Sequence, residues 1–173
     1  MVTRWLLVVV TLTVMCLGST SSAQTEFSPA PFFGKWIWNG QRAKIDPKLD
    51  DSYRCYVEVL DDLGGGKVRM RDYRIRTSGQ VIQNDVTLEF NRILTRRDGS
   101  QSQWLITGPL TYRMGPPDRD SRTAFIVTRE IIEGGKVMKH LGEGVLNGMP
   151  GIRNEQYFER TTGPARSGDC VVE

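Results

Sequence analysis

Apolar residues along this chain fall at alternate positions, the two-residue period of extended strands, and no segment carries a convincing helical stripe. The first strand signal is Phe32-Phe33-Gly34-Lys35-Trp36-Ile37-Trp38-Asn39. Trp36 and Trp38 are two apart, so both indoles point to one face while Lys35 and Ile37 point to the other. Two buried indoles cover roughly 150–250 Å² each, which commits that face to a core. Downstream, Tyr53, Cys55, Val57 and Val59 alternate with Arg54, Glu58 and Leu60, a half-buried strand. Residues 67–77 place Val68 and Met70 on one face but Tyr73 and Ile75 on the other, a parity switch that predicts a bulge near Asp72. Further strands are predicted over 80–90, 103–107, 122–132, 137–146 and 155–160.

Turn residues punctuate these runs. Gly64-Gly65-Gly66 and Glu133-Gly134-Gly135-Lys136 read as hairpins, because consecutive glycines accept the positive φ that tight turns need. Gly108-Pro109 breaks a strand, and Met114-Gly115-Pro116-Pro117-Asp118 reads as a rigid loop. About eight to nine strands joined by short turns favour an antiparallel meander, and closure into an up-and-down β-barrel removes its exposed edges. An open sandwich is the second architecture compatible with the pattern.

The ends read differently. Arg4, an apolar run over 5–17 and Ser21-Ser22-Ala23 form a secretory signal with cleavage after Ala23, which implies a secreted or periplasmic protein. The run is too short for a span of about 20 residues, and no later segment is apolar enough to cross a membrane as a helix. Residues 24–31 read as an unstructured leader, 32–160 as one barrel domain, and 161–173 as a flexible Gly/Ser/Pro-containing tail. Without Arg4 the chain has 22 basic against 20 acidic side chains, too even a balance for a polyanion binder. Arg69, Arg71, Arg74 and Arg76 therefore read as a solvated strand face with cross-strand ion pairs, not as a nucleic-acid surface. Cys55 and Cys170 remain after cleavage, and an oxidising compartment permits them to pair. The alternative is a buried apolar Cys55 and a Cys170 on a loose tail.

Candidate chemistry is sparse. His140 is the single histidine, so no second imidazole completes a zinc site, and Cys55 and Cys170 lack metal-ligand spacing. The simplest reading of His140 is a strand residue facing solvent or a wet cavity. Gly64-Gly65-Gly66-Lys67 lacks the Ser/Thr and the helix of a phosphate loop. The residues thus point away from an enzyme, a metal site or a bound cofactor.

Gly34-Lys35-Trp36 resembles the G-x-W element of the lipocalins and the wider calycin group. That resemblance implies that Trp36 packs beneath a basic residue at the end of the last strand, a role matched here by Arg160 after Tyr157-Phe158-Glu159. The chain also looks like small secreted bacterial lipocalin-like proteins of unknown function, through Gly34–Asn39, Gly65–Arg71, Gly134–Val137 and Tyr157–Arg160. A barrel of about eight strands can hold one small ligand. Trp38, Trp104, Phe125 and Tyr157 are candidate lining residues, with Arg129 as a buried polar anchor, for a small apolar or amphipathic molecule. The competing expectation is a barrel filled by its own aromatics, acting at the cell envelope through its loops.

Overall fold

The structure, a computed structural model, describes residues 28–49, 52–95, 99–117, 124–146 and 148–172. The expected signal segment lies outside the described residues, as does most of the leader. Among the described residues no helix is long and apolar enough to cross a membrane.

Twelve strands follow in chain order. They are β1 (Gly34–Trp38), β2 (Tyr53–Gly64), β3 (Lys67–Arg76), β4 (Val81–Glu89), β5 (Ile93–Thr95) and β6 (Gln101–Gly108). The remainder are β7 (Thr111–Gly115), β8 (Phe125–Ile132), β9 (Val137–Leu146), β10 (Met149–Thr161), β11 (Ala165–Ser167) and β12 (Cys170–Val172). The first ten form a single antiparallel sheet in the order β4-β3-β2-β1-β10-β9-β8-β7-β6-β5. Because β1 pairs with both β2 and β10, the meander curls into a barrel. Among the described residues no ladder joins β4 to β5, so the barrel is nearly, not fully, closed.

The expected up-and-down barrel is therefore present, with ten strands in its main sheet where the pattern predicted eight to nine. The additional two are β5 and β7, short segments among turn residues that the alternation test cannot detect. Met114 and Gly115, expected in a loop, close β7.

The parity switch in β3 has a different cause from the predicted bulge. Its ladder to β4 runs without a break from Lys67 to Ile75, so Asp72 sits in regular strand. Val68, Met70, Asp72 and Arg74 all face the lumen, while Tyr73 and Ile75 belong to a second apolar cluster outside the barrel. Cys55, Val57 and Val59 of β2 join that cluster, and Ala165 and Cys170 cover it. Strand β2 is thus buried on both faces, with Tyr56, Glu58 and Leu60 inside. A register shift between Tyr53 and Cys55 brings Tyr53 inward as well.

The C-terminal segment is not the loose tail that its composition suggested. Strands β11 and β12 pair as a hairpin against the outer face of β2 and β3. Cys55 and Cys170 form a disulfide across a sequence separation of 115 residues. Ala165 and Cys170 are buried, which gives the hairpin an apolar reason to stay where the disulfide holds it.

One end of the barrel is packed solid. Trp36 is fully buried and donates its indole N–H to the Phe32 carbonyl at 2.8 Å. The Arg160 guanidinium lies 4.3 Å from the Trp36 ring centre and donates to the carbonyls of Phe33 (2.7 Å), Gly135 (2.8 Å) and Pro31. Gly34 adopts φ 124° and a Cβ there would meet Arg160 at 3.1 Å, so glycine lets the strand pass beneath the guanidinium. Above this plug, Tyr112 stacks on Trp104 at 5.1 Å and takes the edge of Phe32 at 4.7 Å.

Candidate functional site

A buried ion pair sits above the aromatic plug. The Arg129 guanidinium on β8 donates to both oxygens of Glu58 on β2, at 2.5 and 2.7 Å, and to the Tyr112 hydroxyl at 2.9 Å. The Tyr56 hydroxyl donates to Glu58 at 3.2 Å. Glu58 is 0% and Arg129 2% exposed, so neither charge is shared with water. Burial pushes the Glu58 carboxyl above its ordinary range, and the guanidinium pulls it back. Burial opposes the charge on Arg129, but the Glu58 carboxylate together with Tyr112 and Tyr56 outweighs it and keeps the guanidinium protonated. Trp104 flanks the guanidinium at 5.6 Å, a cation–π contact from the plug side.

Beyond this network the lumen opens into a cavity of about 610 Å³. Its apolar wall comprises Met70, Val86, Met114, Phe125 and Val127, with the rings of Tyr53 and Tyr56. Its polar wall comprises Asp72, Arg74, Asn84, Arg129, His140, Asn154 and Gln156. Asp72 is buried, accepts two bonds from the Asn84 amide at 3.0 and 3.1 Å, and lies 3.4 Å from Arg74 Nε. Burial raises its carboxyl above the ordinary value, with Arg74 opposing. The Arg74 guanidinium also faces the Tyr56 ring at 5.2 Å. His140 is 7% exposed, packs on Phe158 at 4.2 Å, and is held well below the ordinary histidine value by burial, then by Arg129 and Arg74.

The sequence candidates are spread over four environments. Phe125 and Arg129 line the cavity. Trp104 lies deeper, in the plug, where with Leu88 and Leu94 it borders a smaller space of about 340 Å³ at the open seam between β4 and β5. Trp38 is half-buried, edge-on to Tyr53 at 5.7 Å, and touches the cavity only through that tyrosine. Tyr157 is on the outer side of β10, its ring under Arg42 at 4.4 Å and near Lys139 at 5.8 Å, with its hydroxyl donating to Glu155. The register explains that placement: Phe158 points inward, so its neighbour points out.

Glu58, Asp72, Arg74 and the tyrosines of the network were not among the candidates. A usable signal existed for Glu58, a lone carboxylate inside the otherwise apolar run Tyr56–Leu60. Arg69 and Arg71 do pair across the outer face, with Asp85 and Asp61, as the solvated-face expectation requires. Arg74, three residues beyond Arg71 and so on the opposite face, points into the lumen, where Asp72 and Asn84 supply its polar surroundings. Among the described residues no group of three His, Cys, Asp or Glu side chains is arranged to hold a metal ion.

No protein-family model matches this chain, and no curated protein matches it in sequence. Solved structures do match. The fluorescent protein UnaG superposes with a TM-score of 0.52 at 13% identity, covering 78% of this chain and all (100%) of UnaG. A variant of UnaG gives 0.54 at the same 13% identity, over 79% of this chain. As-p18, an extracellular fatty acid binding protein, aligns at 0.49 and 10% identity over 79% of this chain. The fold of this chain is accordingly the nearly closed antiparallel β-barrel that UnaG also has.

Proposed function

We propose that this protein is a binding protein, not an enzyme, and that it holds one small amphipathic molecule in the upper half of its barrel. The observation that carries the reading is the cavity of about 610 Å³, lined from β2, β3, β4, β7, β8, β9 and β10 and bordered by Arg129 of the Glu58–Arg129 pair. Its volume lies in the range of roughly 300–1,000 Å³ typical of small-molecule sites. Apolar and polar walls face each other across it, which suits a ligand with one greasy and one hydrogen-bonding end. The competing reading, a filled barrel acting through its loops, has less support because the lumen above the plug is left open.

Export to an oxidising compartment is part of the proposal. It is supported by the apolar N-terminal run and by the Cys55–Cys170 disulfide, a bond that persists outside the reducing cytosol. Native mass spectrometry of the chain from a secreting host, with and without a panel of amphipathic probes, tests the binding reading. A mass increment that disappears on denaturation is the expected result. A bare chain that also takes up no probe, with no shift in tryptophan emission, would overturn it.

A further inference from the structure

Strands β8 and β9 set Arg129 and His140 directly opposite each other in the ladder, and both side chains line the cavity. Each keeps a buried nitrogen without a partner among the described residues, Nε of Arg129 and Nε2 of His140. Buried polar atoms in that state have given up water and received nothing in return, which native proteins rarely tolerate without a ligand or water to complete them. The remaining donors of Arg129 are engaged by Glu58, Tyr112 and, at 3.9 Å, the Met70 sulfur. The second guanidinium facing the cavity, Arg74, is ion-paired with Asp72 at 3.4 Å, although its buried Nε also makes no hydrogen bond among the described residues. The fixed charges of the lumen, Glu58 and Asp72 against Arg74 and Arg129, are therefore balanced before any ligand arrives.

We infer that the ligand carries an uncharged hydroxyl-type head group that bridges Arg129 and His140; the inference rests on the binding reading above. A hydroxyl has lone pairs for the Arg129 N–H and, through its own proton or a second lone pair, completes either tautomer of a neutral imidazole. A carboxylate only accepts hydrogen bonds. It would add a third anion near Glu58 and Asp72 with no unpaired cation to receive it. An ammonium cannot accept the Arg129 proton and would face two guanidiniums. The burial of His140 between those guanidiniums keeps its ring neutral, consistent with a neutral partner. Gly142 makes room for the apolar part of the ligand: a Cβ there would meet the Phe125 ring at 2.5 Å, so glycine lets that ring recess into the wall.

Isothermal titration of the purified chain with decanol, decanoate and decylamine at about pH 8, where the acid and the amine are both charged, reads the head group directly. Decanol should bind about tenfold more tightly than either charged probe, the factor one well-matched hydrogen bond supplies. His140→Phe preserves the ring packing on Phe158 but removes both nitrogens. It should erase the preference for decanol, and His140→Gln, which keeps a donor and an acceptor, should restore most of it. Decanoate binding as tightly as decanol to the wild-type chain would overturn the head-group inference and leave the binding reading standing. An undiminished preference in His140→Phe would overturn the bridging role, and failure of all three probes to bind would overturn both readings.

Discussion

Glu58→Gln isolates the contribution of the charge at the floor of the cavity. The substitution keeps the shape of the side chain and one acceptor oxygen but removes the anion that neutralises Arg129. Because Glu58 is 0% and Arg129 2% exposed, water cannot take over that task. Breaking a buried pair of this type by removing one partner costs about 3–5 kcal/mol, and the retained acceptor places glutamine near the lower figure. A domain of this size is stable by about 5–15 kcal/mol, so a large fraction is at stake. Urea unfolding reads the effect: with a slope of about 2 kcal/mol per molar, the midpoint should fall by roughly 1.5 M at unchanged slope. Replacing both partners, Glu58→Met with Arg129→Met, should recover much of the loss because no lone charge remains. The exposed pair Arg69–Asp85, bidentate at 2.9 and 2.6 Å, is the control, and Arg69→Ala should leave the midpoint unchanged. A loss below about 1 kcal/mol for Glu58→Gln would refute the dry ion pair, meaning that the carboxyl is protonated or solvated in place.

Trp36→Ala should cost about 3–5 kcal/mol, since the ring is fully buried under Arg160, and a cycle with Arg160→Ala should show a coupling of about 1 kcal/mol in the same unfolding assay. Replacing Cys55 and Cys170 together by Ser should lower stability by about 2–4 kcal/mol and open residues 165–172 to proteolysis, while retained protection would show that apolar packing alone holds the hairpin. His140 has a native pKa below the 6.5 of a free histidine, so on acidification the unfolded chain takes up this proton first. Its contribution is complete above that value and declines below it, by up to about 1.4 kcal/mol per pH unit. Glu58 and Asp72, both raised, act in the opposite sense in the acid range, so the readout is the difference between wild type and His140→Phe. That difference should shrink from neutral pH towards pH 5, and a flat one would refute a neutral, buried ring.

The barrel was legible because its signals are local. Alternation, glycine turns and the Gly34-Lys35-Trp36 motif each need only neighbouring residues, and the position of Arg160 follows from the end of the last strong strand. What failed were inferences that depend on what covers a face. Tyr73 and Ile75 seemed to demand a bulge only because the outer face of β3 was taken as wet, whereas β11 and β12 roof it. The same assumption hid Glu58, since a strand with one polar face would have put its carboxylate in solvent. Tyr157 was misplaced by composition, an aromatic next to an aromatic, although adjacent strand residues must diverge. Arg129, on a strand apolar on both faces, is buried and borders the cavity.

The two halves of the lumen differ in how they are filled. Rings in the lower half meet edge-to-face or stacked, as at Phe32–Tyr112 and Trp104–Tyr112, and fill the space with contacts that need no ligand. In the upper half the inward positions of β3, β4 and β9 are Asp72, Arg74, Asn84 and His140, which cannot pack as hydrocarbon: Asp72 is met by Asn84 and Arg74, while His140 Nε2 has no partner among the described residues. The change occurs within single strands: β3 turns from Val68 and Met70 to Asp72 and Arg74, and β2 from Leu60 to Glu58 and Tyr56. A sequence selected only for folding would have continued the apolar series to the rim, at no cost in solubility because these positions face inward. Polar residues there cost stability that the aromatic plug supplies from the other end and the disulfide from the outer face of β2, and on the binding reading proposed above they are the groups that would select a ligand's head group.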